Sequence, residues 1–428
     1  PEFIADSLNK YADVMISPPS AKAFTKFYDK MIGLWKGYIT ATPGFTMRNV
    51  LMGNTWAGYM ELGSKYFEPR AAKEGVQIFM AQFPGLVKKF PALRGKSSYN
   101  GMTFVELAQM AGQQGLYRGQ VGYDLMAQMT MYDEFMSMLA GSPSMLNKIN
   151  PLNQKNAYLN MFYKINSHAE DISKLIAFNL EMGRLYNDPV SSAMMVKRYF
   201  FDYSELTNVE RMWFRRHIPF YTWMRKNIPL QIEELILQTG KYKVFPLGKK
   251  YIEDLSAGKA PDERYLPEYM QERYWIRTPR VDEWGNYLYF NPNFPPQDLA
   301  MLVNPNEWMS VLSPAIKMPL EIAMNRSTFF DSPIKENQWS LSYAPKWAKA
   351  IPEGLQNKLG MVESKEGTLF MDPMHRYMMD AIPTLKVINR FSLQDEAEKN
   401  KSLSLQAQAM FLGVKQIPYR YEDEKLNW

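Results

Sequence analysis

The chain has 428 residues, of which 46% are hydrophobic, and its mean hydropathy is −0.36. This composition excludes a disordered tail and an integral membrane protein, and the sequence contains no run of about 18 apolar residues. Lys and Arg number 50 against 44 for Asp and Glu, which gives a net charge of +6. This mild excess is compatible with DNA or anionic lipid as a partner, and equally with an ordinary soluble protein.

Cysteine is absent and methionine is abundant, with 31 residues. The absence of cysteine excludes disulfides and cysteine-ligated metals, and it suits a protein that passes from a reducing into an oxidising compartment. Flexible thioether side chains suit interfaces that must repack, although helix cores use Met in the same way. The sequence starts at Pro1 without an initiator Met or a signal-peptide pattern, so we expect a segment of a longer polypeptide.

Helical periodicity dominates the chain up to residue 240. A turn is predicted at Thr42–Gly44, and a methionine-rich stretch covers 126–139. The last helix before residue 200 has Pro189 at its first position, where the missing N–H costs nothing. Helices are predicted over the ranges 21–40, 45–62, 103–113, 153–186 and 189–200.

The stretch from Lys197 to Pro229 is rich in aromatic residues and positive charge. Thr207, followed three residues later by Glu210, predicts a capping box at a helix start. Pro219 ends or kinks that helix, because its ring clashes with the preceding turn. Beyond Pro219 the apolar residues continue at helical spacing, so the prediction is helix, kink, helix. These apolar residues are Phe220, Trp223, Met224, Ile232, Leu235 and Ile236.

The basic and aromatic residues of this stretch have two interpretations. In the first, they contact DNA phosphates and bases or lie at a membrane interface. In the second, the aromatic rings belong to the core and the cations cover its outer face. The cations remain available to a partner in both cases. The candidate residues for contact with DNA, membrane or protein are Arg211, Arg215, Arg216, Trp223, Arg225 and Lys226.

From Lys241 onward, prolines become frequent and the predicted elements become shorter. Arg273–Arg277 and Asn286–Phe290 predict a β-hairpin in the region 272–291. The following helix, 307–324, is expected to kink at Pro314 and Pro319. Further helices are predicted over 296–302, 345–358, 375–382 and 403–412.

The predicted fold class is mainly α, an elongated assembly of proline-kinked helices with one small β-hairpin. No fixed-period repeat is present, which argues against a solenoid. We expect four segments: helical 1–100, central helical 101–240, proline-rich 241–300 and helical 301–428.

Motifs for catalysis or ligand binding are each incomplete. Arg-Gly-Lys-Ser at 94–97 resembles the end of a phosphate-binding loop, but position 90 is Phe where that loop requires Gly. An H-x-E at 168–170 lacks the cysteines of a deaminase zinc site. Glu-Ser at 363–364 resembles a lytic transglycosylase dipeptide, but the Gly-rich sequence expected after it is missing. We therefore expect no enzymatic activity, no cofactor and no metal.

Three stretches, in order, resemble a domain of very large virion proteins of tailed bacteriophages, among the so-called large polyvalent proteins. The resemblance spans roughly Ala21 to Ile334. It is carried by Tyr28–Lys36 leading to Thr42–Asn49, by Phe201–Thr207 leading to Ile218–Asn227, and by Leu312–Asn325 followed by Phe329 and Pro333-Ile334.

The resemblance implies an internal virion protein, packaged near the portal and expelled with the genome to help form a conduit through the host envelope. Its implied partners are further copies, other ejection or portal proteins, genomic DNA and the host membrane. Two alternatives remain open. One is an accessory or scaffold segment of a giant virion enzyme such as a packaged RNA polymerase. The other is a membrane-interface module built on 220–238.

Overall fold

A computed structural model describes residues 43–117, 157–201, 217–255, 264–328, 332–380 and 416–419, apart from a few single positions, together with isolated positions in 32–40 and 206–214. Over these residues the fold is mainly α-helical, as predicted. The predicted helix 403–412 and the methionine-rich stretch 126–139 lie outside the described residues, as does most of the predicted helix 21–40. The predicted elongated shape stays a prediction.

The helices of the described residues are numbered in chain order. The α-helices are α1 (Pro43–Arg48), α2 (Thr55–Leu62), α3 (Pro69–Ala81), α4 (Pro84–Lys89), α5 (Phe104–Gln113), α6 (Ala157–Arg184), α7 (Pro189–Phe200), α8 (Tyr221–Leu237), α9 (Thr239–Tyr242), α10 (Val244–Asp254), α11 (Glu268–Gln271), α12 (Pro305–Ser310), α13 (Pro314–Met324), α14 (Glu353–Lys358) and α15 (Pro373–Asp380). A π-helix spans Asn49–Asn54, and 3₁₀-helices span Gly63–Phe67, Pro91–Arg94, Pro295–Leu302 and Lys346–Ala350.

Helix boundaries follow the predicted capping residues closely. The Asp188 carboxylate accepts hydrogen bonds from the backbone N–H groups of Val190 and Ser191 at 3.0 and 3.2 Å, so Pro189 takes the first position of α7. The Thr207–Glu210 capping box forms as predicted, with Thr207 N–H donating to the Glu210 carboxylate at 2.8 Å. The predicted turn at Thr42–Gly44 is wrong, because Pro43 and Gly44 already belong to α1.

The predicted helix 307–324 is two helices instead of one. Pro314 cannot donate a backbone hydrogen bond to the preceding turn, so it starts α13 after a break behind α12. Pro319 lies inside α13 without ending it.

The predicted hairpin is confirmed, and β1 (Ile276–Val281) pairs antiparallel with β2 (Tyr287–Phe290). Its first strand begins three residues later than predicted. The preceding residues make tertiary contacts instead: Arg273 pairs with Glu307 at 2.6 Å, and the ring of Tyr274 stacks on Phe245 with centroids 3.8 Å apart.

Further β-structure was not predicted, because its strands are too short to show an alternating pattern. The strand β8 (Gln416–Pro418) joins the hairpin next to β2. The strands β3 (Arg326–Ser327) and β4 (Ser332–Pro333) form a second sheet. The strands β5 (Ser342–Tyr343), β6 (Met361–Glu363) and β7 (Leu369–Met371) form a third, in the order β5-β7-β6.

The main hydrophobic core is built from α2, α3, α5, α6 and α7. Ile78, Leu107, Leu175 and Phe178 are completely buried in it. Helices α3 and α6 pack so closely that a Cβ atom at Gly75 would lie 2.4 Å from Cγ1 of Ile176. This core contains residues from both sides of position 100, and the division into four segments stays a prediction.

Candidate functional site

Half of the candidate contact residues can be placed, all on α8. Arg211, Arg215 and Arg216 lie outside the described residues. Arg225 is exposed and pairs with Glu210, while Lys226 is half-buried.

The Glu210 carboxylate therefore serves two structural purposes. It completes the helix cap with Thr207, and it accepts hydrogen bonds from Tyr221 and Arg225. Burial alone would raise the pKa of this carboxyl, but these hydrogen bonds outweigh burial and lower its pKa to about 2. The ion pair joins the Thr207–Glu210 capping box to the N-terminal part of α8.

Trp223 lies at the inner side of α8. Its indole N–H donates to Oδ2 of Asp298 at 2.8 Å, and its ring packs edge-on against Phe201 with centroids 5.1 Å apart. Burial raises the pKa of Asp298, and hydrogen bonds from Trp223 and Asn227 oppose that rise. The position of Trp223 agrees with the interpretation in which the aromatic residues are packed.

The side of α8 that faces the core combines the apolar Met224 and Leu230 with several polar residues. Gln231 accepts hydrogen bonds from Trp56 at 3.1 Å and Tyr242 at 3.0 Å, and it donates to Asn227 at 3.0 Å. Farther along the helix, the Tyr199 hydroxyl donates to the buried Glu234 at 2.8 Å. These hydrogen bonds partly compensate the desolvation of the buried polar groups, although Oε2 of Glu234 has no hydrogen-bond partner among the described residues.

The apolar residues in the C-terminal part of α8 face outward, where sequence periodicity alone would have placed them in the core. Ile236 is 70% exposed, and α10 likewise carries exposed apolar residues at helical spacing. We call these two sets the exposed apolar stripes. They consist of Ile232, Leu235, Ile236 and Leu237 on α8, and of Val244, Leu247 and Tyr251 on α10 with Leu255 behind it.

A cavity of about 930 Å³ lies beside the inner side of α8. Its wall includes the π-helix, α6, α8 and the 3₁₀-helix Pro295–Leu302. Two of the stretches that carry the sequence resemblance, Thr42–Asn49 and Ile218–Asn227, both contribute to this wall. Aromatic side chains line much of it, namely Phe45, Phe200, Trp223, Phe245 and Tyr274.

Arg48 is the unusual charged residue of this wall. It is half-buried and lines the cavity. Its guanidinium carbon is 5.5 Å from the centroid of the Phe45 ring, and no carboxylate or hydrogen-bond acceptor of the described residues contacts it. Burial lowers the pKa of Arg48 from its ordinary value, because loss of water around the guanidinium disfavours its charged form.

The chain also buries carboxyl groups away from the cavity. The carboxyl oxygens of Glu61 have no hydrogen-bond partner, and Glu181 forms an ion pair with Arg184 at 2.7 Å. Burial raises the pKa of Glu61 well above its ordinary value, and the nearby Glu181 adds to the rise. Neither carboxyl lines the cavity, so they are not arranged around a substrate-sized space.

The remaining motif residues have structural contacts. Ser97 donates its hydroxyl hydrogen to Glu74 at 2.9 Å, and the His168 ring packs edge-on against Phe79 at 5.1 Å. Glu363 lies on β6 with an exposed side chain. Within the described residues, no cluster of His, Asp or Glu has the arrangement to hold a metal ion, and none of the helices is long and apolar enough to cross a bilayer.

Comparison with models of known protein families, with curated proteins and with solved structures found no match.

The structure adds Arg48, Asn49 and Thr222, which line the cavity, to the candidate residues. Sequence analysis missed them because single polar residues inside apolar helical patterns carry no signal of a shared cavity.

Proposed function

We propose that the chain is part of a structural internal virion protein of a tailed bacteriophage, packaged inside the capsid near the portal. It leaves with the genome and helps to form the delivery conduit through the host envelope. It works by binding copies of itself and neighbouring ejection or portal proteins, without catalysing a reaction. The resemblance of Tyr28–Lys36 and the later stretches supports this proposal, together with the absence of cysteine and the mild positive charge.

The observation that carries the proposal is the orientation of α8. This helix buries Asn227, Gln231 and Glu234, while Ile236 and Leu237 near its C-terminal end leave apolar surface available to a partner. Large exposed apolar patches on proteins mark interaction sites. A second copy of the chain is the occupant we propose, because two exposed apolar stripes on one chain, on α8 and on α10, suit the self-complementary contacts of oligomers.

A membrane interface is the second candidate, and a specific observation favours it. Lys249 and Lys250 lie on α10 beside its exposed apolar residues, as in helices that lie on anionic bilayers. Flotation with vesicles of phosphatidylglycerol and phosphatidylcholine at low salt tests this candidate. Co-flotation that disappears in Leu247→Lys would support it, and absence of flotation would remove it.

Location in the particle tests the main proposal. Phage particles that encode this protein are compared before and after DNA release by quantitative mass spectrometry, with the major capsid protein as the internal control. We expect the protein in full particles and its loss from emptied ones. Retention in the emptied capsid, or absence from full particles, would contradict the proposal.

A further inference from the structure

The cavity beside α8 combines an apolar body with an unsatisfied positive charge. Its volume of about 930 Å³ is in the range of small-molecule sites, which are mostly apolar with a few polar groups that orient the ligand. Phe45, Trp223 and Phe245 supply aromatic surface, and Arg48 supplies the charge.

The other cations of the wall already have partners. Arg273 pairs with Glu307 at 2.6 Å, and Lys249 lies 3.8 Å from a carboxylate oxygen of Glu253. Lys36 is fully buried and has an interaction of its own. Arg48 is the cation of the described wall that lacks one.

The acidic residues of the wall are also engaged. Glu170 pairs with Lys174 at 2.6 Å, and Asp298 accepts hydrogen bonds from Trp223 and Asn227 at 2.8 and 2.7 Å. Neither carboxylate is within ion-pair distance of Arg48 in the part of the chain that the structure describes. The charge on Arg48 is therefore available to a ligand.

Two neutral polar groups of the same wall are unpartnered as well. The Thr222 hydroxyl is buried without a hydrogen-bond partner. The Asn49 side-chain amide has no partner among the described residues. The Thr222 hydroxyl is fully buried, whereas Arg48 and Asn49 are half-buried in the same wall. A buried polar group is nearly always satisfied, so a buried hydroxyl next to two further polar groups without partners among the described residues needs an explanation. Guanidinium, amide and hydroxyl groups all donate hydrogen bonds, and the ligand that satisfies all three is rich in acceptor oxygens.

The backbone at this point is unusual too. Arg48 is the last residue of α1, and Asn49 opens the π-helix that continues to Asn54. π-helical turns widen a helix and occur frequently at functional sites. Here the π-helix forms part of the cavity wall through Asn49, Val50 and Gly53.

We propose that this cavity binds a small aromatic oxyanion, whose carboxylate or phosphate oxygens are held by Arg48 and whose ring packs against the aromatic wall. The planar guanidinium matches the two oxygens of either group in a bidentate contact. The proposal is independent of the virion role, because it concerns the inner side of α8 and the apolar stripes lie on the outer side.

Isothermal titration calorimetry of the full chain tests the proposal with three probes of similar size. Benzoate carries a carboxylate, phenyl phosphate carries a phosphate, and benzyl alcohol is neutral. Wild-type protein is compared with Arg48→Met, which keeps length and apolar volume but removes the charge. Arg280→Met is the matched control, because Arg280 is exposed on β1 outside the cavity.

We expect one or both anions to bind with one site per chain, and benzyl alcohol to bind at least about tenfold more weakly. Arg48→Met should lose at least about tenfold in affinity, while Arg280→Met binds like wild type. Preference for benzoate or for phenyl phosphate then identifies the natural anionic group.

A second variant distinguishes loss of ligand binding from loss of the fold. Thr222→Val keeps the shape of the side chain and removes the hydroxyl, and it should weaken anion binding severalfold while circular dichroism stays unchanged. Failure of both anions to bind wild-type protein would overturn the proposal. Equal affinity of Arg48→Met and Arg280→Met, or binding of benzyl alcohol as tight as that of the anions, would also overturn it.

Discussion

At the scale of single residues, buried carboxyl groups make the free energy of unfolding depend on pH. Asp171 on α6 is 4% exposed, and one of its carboxyl oxygens has no hydrogen-bond partner. Burial raises its pKa to about 7 against the lowering effect of Lys174, while Glu170 adds to the rise. In the unfolded chain the same carboxyl titrates near its ordinary value of 3.8. The folded state therefore binds a proton more tightly than the unfolded state.

Because the pKa of Asp171 is higher in the folded than in the unfolded chain, we predict that Asp171 lowers the free energy of unfolding as pH rises. Between about pH 4 and pH 7 the unfolded chain has released the proton and the folded chain still holds it, so each step upward in pH favours unfolding. Asp171→Asn mimics the neutral form at every pH. The variant should therefore match the wild-type free energy of unfolding near pH 4 and exceed it by a few kcal/mol, roughly, above pH 7.

Urea denaturation of both proteins from pH 4 to pH 8 provides the measurement. Glu61 contributes a dependence of the same sign, because burial raises its pKa as well, so the informative quantity is the difference between the two proteins. A difference that stays constant across this range would show that Asp171 is not protonated in the folded state.

Residue-level chemistry was the least predictable from the sequence. Arg48 and Thr222 are separated by more than 170 positions, and nothing in either local pattern indicates that both line one cavity. The interpretation of Trp223 as a packed residue could be reached in advance, because large aromatic side chains at helical spacing are usually buried.

At the scale of elements, the sequence predicted well those features whose local residues allow only one backbone geometry. The Thr207–Glu210 box and Pro189 each satisfy helix N-terminal groups in only one way, and both lie where the sequence placed them. The hairpin followed from two β-rich runs around Gly285, which has a positive φ of 81° that suits glycine.

Helix α8 shows where periodicity fails. An apolar period predicts which residues share a face, and it assumes that the apolar face is the buried one. In α8 the polar residues Asn227 and Gln231 bond to each other and to partners on other elements, so they can be buried instead. That network depends on tertiary contacts such as Trp56, 175 positions away from Gln231, which no local pattern reveals.

Close packing of α3 on α6 predicts opposite effects for two glycine substitutions. Gly75→Ala places a methyl group against Ile176, 2.4 Å from Cγ1 and 3.2 Å from the backbone N, and should lower the free energy of unfolding by about 1–3 kcal/mol. Gly248→Ala lies inside α10 with nothing within 4 Å and should raise it by about 0.5–1 kcal/mol.

Chemical denaturation of the two variants beside wild type separates packing from helix propensity. Propensity alone favours Ala over Gly at both positions. Equal stabilisation by the two substitutions would mean that α3 and α6 are not in the close contact described above.

At the scale of the whole molecule, surface and core have distinct chemistry. The main core is conventional, with Ile78, Leu107 and Phe178 fully buried. The outer sides of α8 and α10, in contrast, leave apolar stripes exposed to solvent. A chain that assembles gains the free energy of burying these stripes when copies meet, at roughly 25 cal/mol for each Å² removed from water.

We predict that a charged side chain placed in the stripes prevents assembly, whereas one placed elsewhere on the surface does not. The double variant Ile236→Lys/Leu247→Lys introduces a charge into each stripe, whereas Leu355→Lys introduces one at a helical position on α14, apart from the stripes and 53% exposed. All three side chains are exposed, so the substitutions should leave the fold intact, as circular dichroism can verify.

Sedimentation-velocity ultracentrifugation over a hundredfold range of protein concentration is the most direct test of the proposal that copies meet through the stripes. We predict that wild type and Leu355→Lys form discrete oligomers whose proportion rises with concentration, and that Ile236→Lys/Leu247→Lys stays monomeric at every concentration. A wild-type chain that is monomeric throughout, or a double variant that assembles like Leu355→Lys, would contradict the account.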